Sequence, residues 1–100
     1  MAKLLQEQIA LNLSKIPGWS SEGSRYIERT ITFADFRQAL AFVNQVGEFA
    51  EAANHHPDID IRYNKVTIRL STHEENGLTG KDFALAQKLN SITLPQSKAI

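Results

Sequence analysis

The chain has 100 residues, 42% hydrophobic and 22% charged, with 5 Gly and 3 Pro; this size and balance predict one compact domain over 1–100 that buries ~65% of its unfolded surface, and exclude a disordered tail or a fibre. Eleven basic and eleven acidic side chains cancel, which leaves no global field to draw the chain onto nucleic acid or an anionic membrane. With no cysteine there are no disulfides, thiolate zinc sites or cysteine nucleophiles, and Lys3, Gln6, Glu7, Gln8 and Asn12 interrupt any signal-like or membrane-spanning run at the start, so a cytoplasmic protein is expected.

Leu4, Leu5, Ile9, Leu13 and Ile16 recur at helical intervals until Pro17-Gly18, which predicts a short amphipathic first helix. Trp19 is expected to open a strand, Ser20 to Ser24 reads as a turn, and Ile27, Ile31 and Phe33 alternate with Glu28, Thr30 and Thr32 in a second strand. Thr32 and Asp35 have the spacing of a capping pair at a helix start. The stripe Phe36, Leu40, Val43, Gly47 and Ala50, widened by Ala39, Phe42, Val46, Phe49 and Ala53, predicts the main core helix, about 20 residues long. Its other face carries Arg37, Asn44, Glu48, Glu51 and His55, which places Glu51 and His55 one turn apart on the solvent side, with Pro57 ending the helix.

From Ile59 the period changes to two. Ile59, Ile61 and Tyr63, then Val66, Ile68 and Leu70, alternate with polar residues in two antiparallel strands joined near Asn64. His73 to Gly77 reads as a loop, and Thr79 with Asp82 repeats the capping spacing ahead of Phe83, Leu85, Ala86, Leu89 and Ile92 in a third helix. The residues after Pro95 read as a frayed tail. The order α-β-β-α-β-β-α predicts an α+β two-layer sandwich, a four-stranded antiparallel sheet with three helices on one face. Two open sheet edges on so small a chain predict a homo-oligomer.

All three histidines, His55, His56 and His73, fall where elements end, with the carboxylates of Glu51, Asp58, Asp60 and Asp82 available to orient them. Imidazole, with its ordinary pKa near about 6.5, both gives and takes protons at neutral pH. Two other readings stand beside that one. Adjacent histidines also occur as solvated cations at a helix C-terminus, meeting the dipole. Glu51, His55 and His73 could form a two-His, one-carboxylate metal set, although no thiolate and no His-x-x-x-His spacing supports it. Acid/base chemistry on an organic ligand fits the residues best. There is no Gly-x-Gly-x-x-Gly, phosphate loop or Gly-x-Ser-x-Gly elbow, and no basic stripe interleaved with aromatics.

At Glu51-Ala-Ala-Asn-His55-His56-Pro57, Tyr63-Asn64-Lys65-Val66, Leu70-Ser71-Thr72-His73 and Gly77-Leu78-Thr79 with Asp82, the sequence closely resembles the pterin-4a-carbinolamine dehydratase family. The likeness extends to Pro17-Gly18-Trp19, Phe33, Phe36 and Ala39 to Asn44, about the whole chain, and no motif position departs from the family pattern. The resemblance implies dehydration of a 4a-hydroxytetrahydropterin to the quinonoid dihydropterin in pterin cofactor recycling, with no metal or bound cofactor. It implies His55 and His73 as general acid and base, exchanging roles with the stereochemistry of the hydroxyl, and His56 as a catalytic-site residue that mainly binds and orients the pterin. Glu51 and Asp82 would set histidine orientation and charge; Pro57, Asp58 and the backbone of Thr72 would contact the substrate. The family's assembly implies a homotetramer built as a dimer of dimers. Relatives with other work, as a transcriptional coactivator, an assembly factor or in molybdopterin metabolism, make an interaction protein the alternative function.

Overall fold

The computed structural model describes residues 3–94, which form α1 (Gln6–Leu13), β1 (Ser20–Glu22), β2 (Tyr26–Thr32), α2 (Phe36–Ala53), β3 (Asp58–Arg62), β4 (Lys65–Leu70), one 3₁₀ turn at His73–Glu75, and α3 (Gly80–Asn90). The four strands are antiparallel in the spatial order β1-β2-β4-β3. This is the expected α+β architecture and element order.

Period-two alternation decides which side of the sheet the helices cover. Ile27 pairs with Leu70 and Ile31 with Val66 across β2 and β4, and all four are buried. Against them sit Ile9 and Ile16 from the first segment, Ala39, Phe42 and Val46 of α2, and Phe83, Leu85, Ala86 and Leu89 of α3. The opposite face is polar: the Thr30 and Thr67 hydroxyls meet at 2.9 Å, and Arg69 donates to Glu28 at 2.9 Å while lying over the Tyr26 ring. The Glu28 hydrogen bond raises the pKa of the Arg69 guanidinium. A sheet with one wet and one dry face needs only one layer of helices.

Local chemistry shifts several boundaries from their expected places. Ser20–Glu22 is strand and not turn; the reversal falls on Gly23, Ser24 and Arg25, where Gly23 takes φ +56°. Thr32 closes β2, and Asp35 alone caps α2 by accepting from the Gln38 N–H at 2.9 Å. The first helix is shorter than its hydrophobic repeat, because the Gln8 side chain caps the Leu5 N–H at 2.8 Å and leaves Leu5 outside and exposed. Phe36 and Leu40, expected in the core, are 45% and 40% exposed; Ala39, Phe42, Val46 and Ala50 are the buried stripe of α2. Ile59 is also exposed, because β3 is an edge strand. The tail expected after Pro95 lies outside the described residues.

The C-terminal end of α3 is fixed by a polar knot. Asn90 Oδ1 accepts from Trp19 Nε1 at 2.8 Å and from Arg29 Nη1 at 2.6 Å, and Asn90 Nδ2 donates to the Pro17 carbonyl at 3.0 Å. Burial lowers the pKa of the Arg29 guanidinium. These bonds tie α3 to the start of the sheet, and so set where its N-terminal turn can lie.

Candidate active site

Asn54 ends α2 in the left-handed conformation, φ +53°, one of the few residues other than glycine that enters it readily. Its N–H bonds to the Glu51 carbonyl at 3.2 Å and the next N–H, of His55, reaches back to the Ala50 carbonyl at 3.1 Å. This paired closure is a Schellman motif, and it pins the His55 backbone at the helix end. The helix therefore stops at Ala53, before Pro57 can act, and His55 leaves the α2 face on which periodicity placed it.

A second tight segment brings its partner. The backbones of Thr72 and Gly77 bridge, with the Thr72 N–H donating to the Gly77 carbonyl at 2.9 Å, and His73–Glu75 make one 3₁₀ turn between them that Asn76 closes at φ +59°. Gly77 cannot carry a side chain here: a Cβ would come within 2.9 Å of the Ser24 carbonyl oxygen. The next N–H, of Leu78, donates to that carbonyl at 2.9 Å. Thr79 then caps α3, its hydroxyl accepting from the Lys81 N–H at 3.2 Å while its own N–H donates to Asp82 Oδ2 at 3.0 Å.

Asp82 is fully buried and every oxygen is occupied. Oδ2 accepts from the Thr79 N–H and from the Thr72 hydroxyl at 2.9 Å; Oδ1 lies 2.6 Å from His55 Nε2. A carboxylate only accepts, so Thr72 spends its one proton on Asp82, and in the 2.7 Å contact between the two hydroxyls Thr79 is the donor. The same logic assigns the ring proton of neutral His55 to Nε2, with the lone pair on Nδ1. The His55 side chain is 10% exposed against none for Asp82, so the pair has one wet end.

His56 turns the other way and pairs with Glu51, Nε2 to Oε2 at 2.6 Å, both side chains more than half exposed. Glu51 thus meets His56 and not His55. His73 stands exposed on the 3₁₀ turn. The neighbouring Glu74 carboxyl is held below its ordinary value, first by a hydrogen bond from its own backbone and then by the fields of Lys81, His55 and His73. His73 directly follows Thr72, whose hydroxyl bonds the same Asp82 carboxylate that holds His55.

Thr72 brings its hydroxyl to the site; its backbone N–H and carbonyl are already bonded to Gly77 and Glu75. Asp58 and Asp60 open, with Ile59, Thr67 and Arg69, on a separate cavity of about 150 Å³ that His55 does not line. Pro57 is partly buried between His56 and β3. Among the described residues no group of three or more His, Asp or Glu side chains is arranged to hold a metal ion, so the alternative set Glu51, His55 and His73 does not assemble. Sequence reasoning missed the Thr72 hydroxyl and also Lys81 and Lys88, which line a cavity beside His55. The signal for the lysines was their seven-residue spacing on α3.

The comparisons agree on the family. The family model described as pterin 4 alpha carbinolamine dehydratase matches residues 2–92. A provisionally named pterin-4-alpha-carbinolamine dehydratase of Thermomicrobium roseum is 54% identical over 89 residues, covering 89% of this chain and 95% of that protein. One from Chloroflexus aggregans, also provisionally named, is 52% identical and covers 92% and 98%. A crystal structure from Brucella melitensis, described as a transcriptional coactivator/pterin dehydratase, is similar at 36% identity with a TM-score of 0.83 over 89% of this chain and 96% of that one. A pterin dehydratase-like RuBisCO assembly factor of the alpha-carboxysome, 21% identical with a TM-score of 0.63 over 74% and 87%, shares the fold alone. Among the described residues no helix is long and apolar enough to cross a membrane.

Proposed function

The chain belongs to the pterin 4 alpha carbinolamine dehydratase family, and from that premise we propose that it catalyses loss of water from a 4a-hydroxytetrahydropterin. The observation that carries the reading is the His55 ring held through Nε2 by a buried, fully bonded Asp82.

The reaction needs a proton delivered to the 4a-hydroxyl, cleavage of the C–O bond to release water, and removal of a proton from the adjacent ring N–H as the C=N bond forms. Protons balance, so the substrate requires one acid and one base that work near neutral pH, and no redox partner. Because Asp82 keeps a proton on Nε2 in both charge states of the ring, the proton that moves at His55 is the one at Nδ1. His73, on the 3₁₀ turn next to Thr72, whose hydroxyl bonds the Asp82 that holds His55, supplies the second group; the two exchange acid and base roles with the face carrying the hydroxyl. His56, steered by Glu51, orients the bicycle. No metal or cofactor takes part. The chain acts as a homo-oligomer, supported by the open β3 edge and by exposed Phe36, Leu40 and Tyr63, which line one cavity with Asp35 and Arg37.

The test is stopped-flow dehydration of both 4a-hydroxy stereoisomers by wild type, His55→Ala and His73→Ala. The expected result is acceleration over the spontaneous rate, with each substitution impairing one stereoisomer more than the other. No acceleration by the wild type rejects the reading in favour of an interaction protein. Equal loss with both stereoisomers rejects the role assignment.

A further inference from the structure

Lys81, Ala84, Leu85 and Lys88 stand at i, i+3, i+4 and i+7 of α3, and with Ala53 and His55 they line a cavity of about 260 Å³. Leu85 is buried and Ala84 adds only a methyl group, so the floor is apolar and leaves room. The two lysines are exposed at its ends, about 10 Å apart along the helix axis at 1.5 Å per residue. Neither makes an ion pair with a described residue. Of the carboxylates nearby, Asp82 is consumed by His55, Thr72 and Thr79, and Glu74, whose carboxyl feels the charge of Lys81, forms no ion pair with it and does not line the cavity.

The cavity is smaller than the ~300–1,000 Å³ of a whole small-molecule site. It therefore suits a substituent of the pterin ring and not the bicycle. An apolar floor with an ammonium outside any ion pair at each end offers a neutral polyol tail hydrogen bonds but no charge to pair, and meets an anionic tail with two complementary charges. Resting on the dehydratase reading, we propose that this cavity receives the ring substituent of the pterin, and that Lys81 and Lys88 select substrates whose substituent ends in a phosphate or carboxylate.

Three 7,8-dihydropterins with the same bicycle separate the cases: dihydroneopterin, its 3′-phosphate, and dihydrofolate with its glutamate tail. Equilibrium dialysis at low and high potassium chloride, on wild type, Lys81→Met/Lys88→Met and Lys88→Arg, reads affinity without requiring turnover. The wild type is expected to bind at least one anionic probe about tenfold more tightly than dihydroneopterin at low salt, with the preference shrinking as salt rises. Preference for the phosphate alone identifies a phosphomonoester tail, and for dihydrofolate alone a carboxylate tail. The double substitution should abolish the preference and Lys88→Arg should keep it. Equal affinity for all three probes, or a preference that survives in the double variant, overturns the proposal. Charge-selective binding without any dehydration would reject the dehydratase reading and leave the anionic subsite standing.

Discussion

His55 and Asp82, 27 residues apart in sequence, meet through a 2.6 Å contact between Nε2 and Oδ1. Two independent backbone devices create it. The left-handed turn at Asn54 delivers the ring, and the capping box at Thr79 holds the carboxylate. Neither residue needs the other to reach its place, so the pair is assembled by the fold before any substrate arrives.

Asp82→Asn tests what the carboxylate does. An asparagine of the same size can keep its oxygen for the Thr72 and Thr79 donors, which turns its amide N–H groups toward His55 Nε2. The imidazole must then accept at Nε2 and carry its proton at Nδ1, the opposite tautomer. The expected fall in kcat is about 10²- to 10⁴-fold, with a stability loss of about 1–3 kcal/mol for the disturbed buried network. Nitrogen chemical shifts of the His55 ring report the tautomer directly; an unchanged tautomer with full activity would refute the assignment.

Thr72→Val and Thr79→Ala probe the same network from its other side. Thr79→Ala removes a helix cap and the donor to Thr72, at an expected cost of about 1–2 kcal/mol. Thr72→Val takes one donor from a buried carboxylate and should cost about 1–3 kcal/mol. Because both hydroxyls serve one chain of hydrogen bonds, the double variant should be less unstable than the sum of the singles by at least about 0.5 kcal/mol. Urea titrations with unchanged slope measure all three; strict additivity would mean that the two hydroxyls act separately.

The residue types of the candidate site were legible and its wiring only in part. His55, His56, His73 and Asp82 stand out as residue types, and the capping spacing of Thr79 and Asp82 reads directly as a helix start. Periodicity nevertheless carried α2 two residues too far, because Asn54 and His55 break no hydrophobic pattern, and the left-handed signal is a lone asparagine. The two extra residues set Glu51 one helical turn from His55, whereas its carboxylate meets His56. The Thr72 hydroxyl was invisible because a threonine at a strand end has many uses, and only tertiary contact selects one. Phe36 and Leu40 show a different limit: helical spacing reports an apolar face, and cannot say whether the chain itself or another copy covers it.

That last ambiguity has its own test. If Phe36 and Leu40 meet a second copy, light scattering on the wild type should give a dimer or tetramer at micromolar concentration, with a melting temperature that rises with concentration. Phe36→Glu with Leu40→Glu should shift the mass toward the monomer. Both side chains are exposed in the single chain, so the core should tolerate the change. A wild type that stays monomeric throughout contradicts the oligomer.

Glu74 offers a readout of the site that needs no substrate. Its carboxyl titrates below the ordinary glutamate range because its own backbone hydrogen bond, then Lys81, His55 and His73, favour the charged form. A carboxyl depressed in the folded state adds stability that is fully present above its unfolded pKa. That stability is lost as pH falls through the lower folded value, so it disappears only in acid. Carbon-detected titration of the Glu74 side chain should therefore show a low midpoint that rises in Lys81→Met, the largest of the neighbouring fields, and rises less in His73→Gln. A midpoint unmoved by Lys81→Met would separate Lys81 from the histidine mouth of the site.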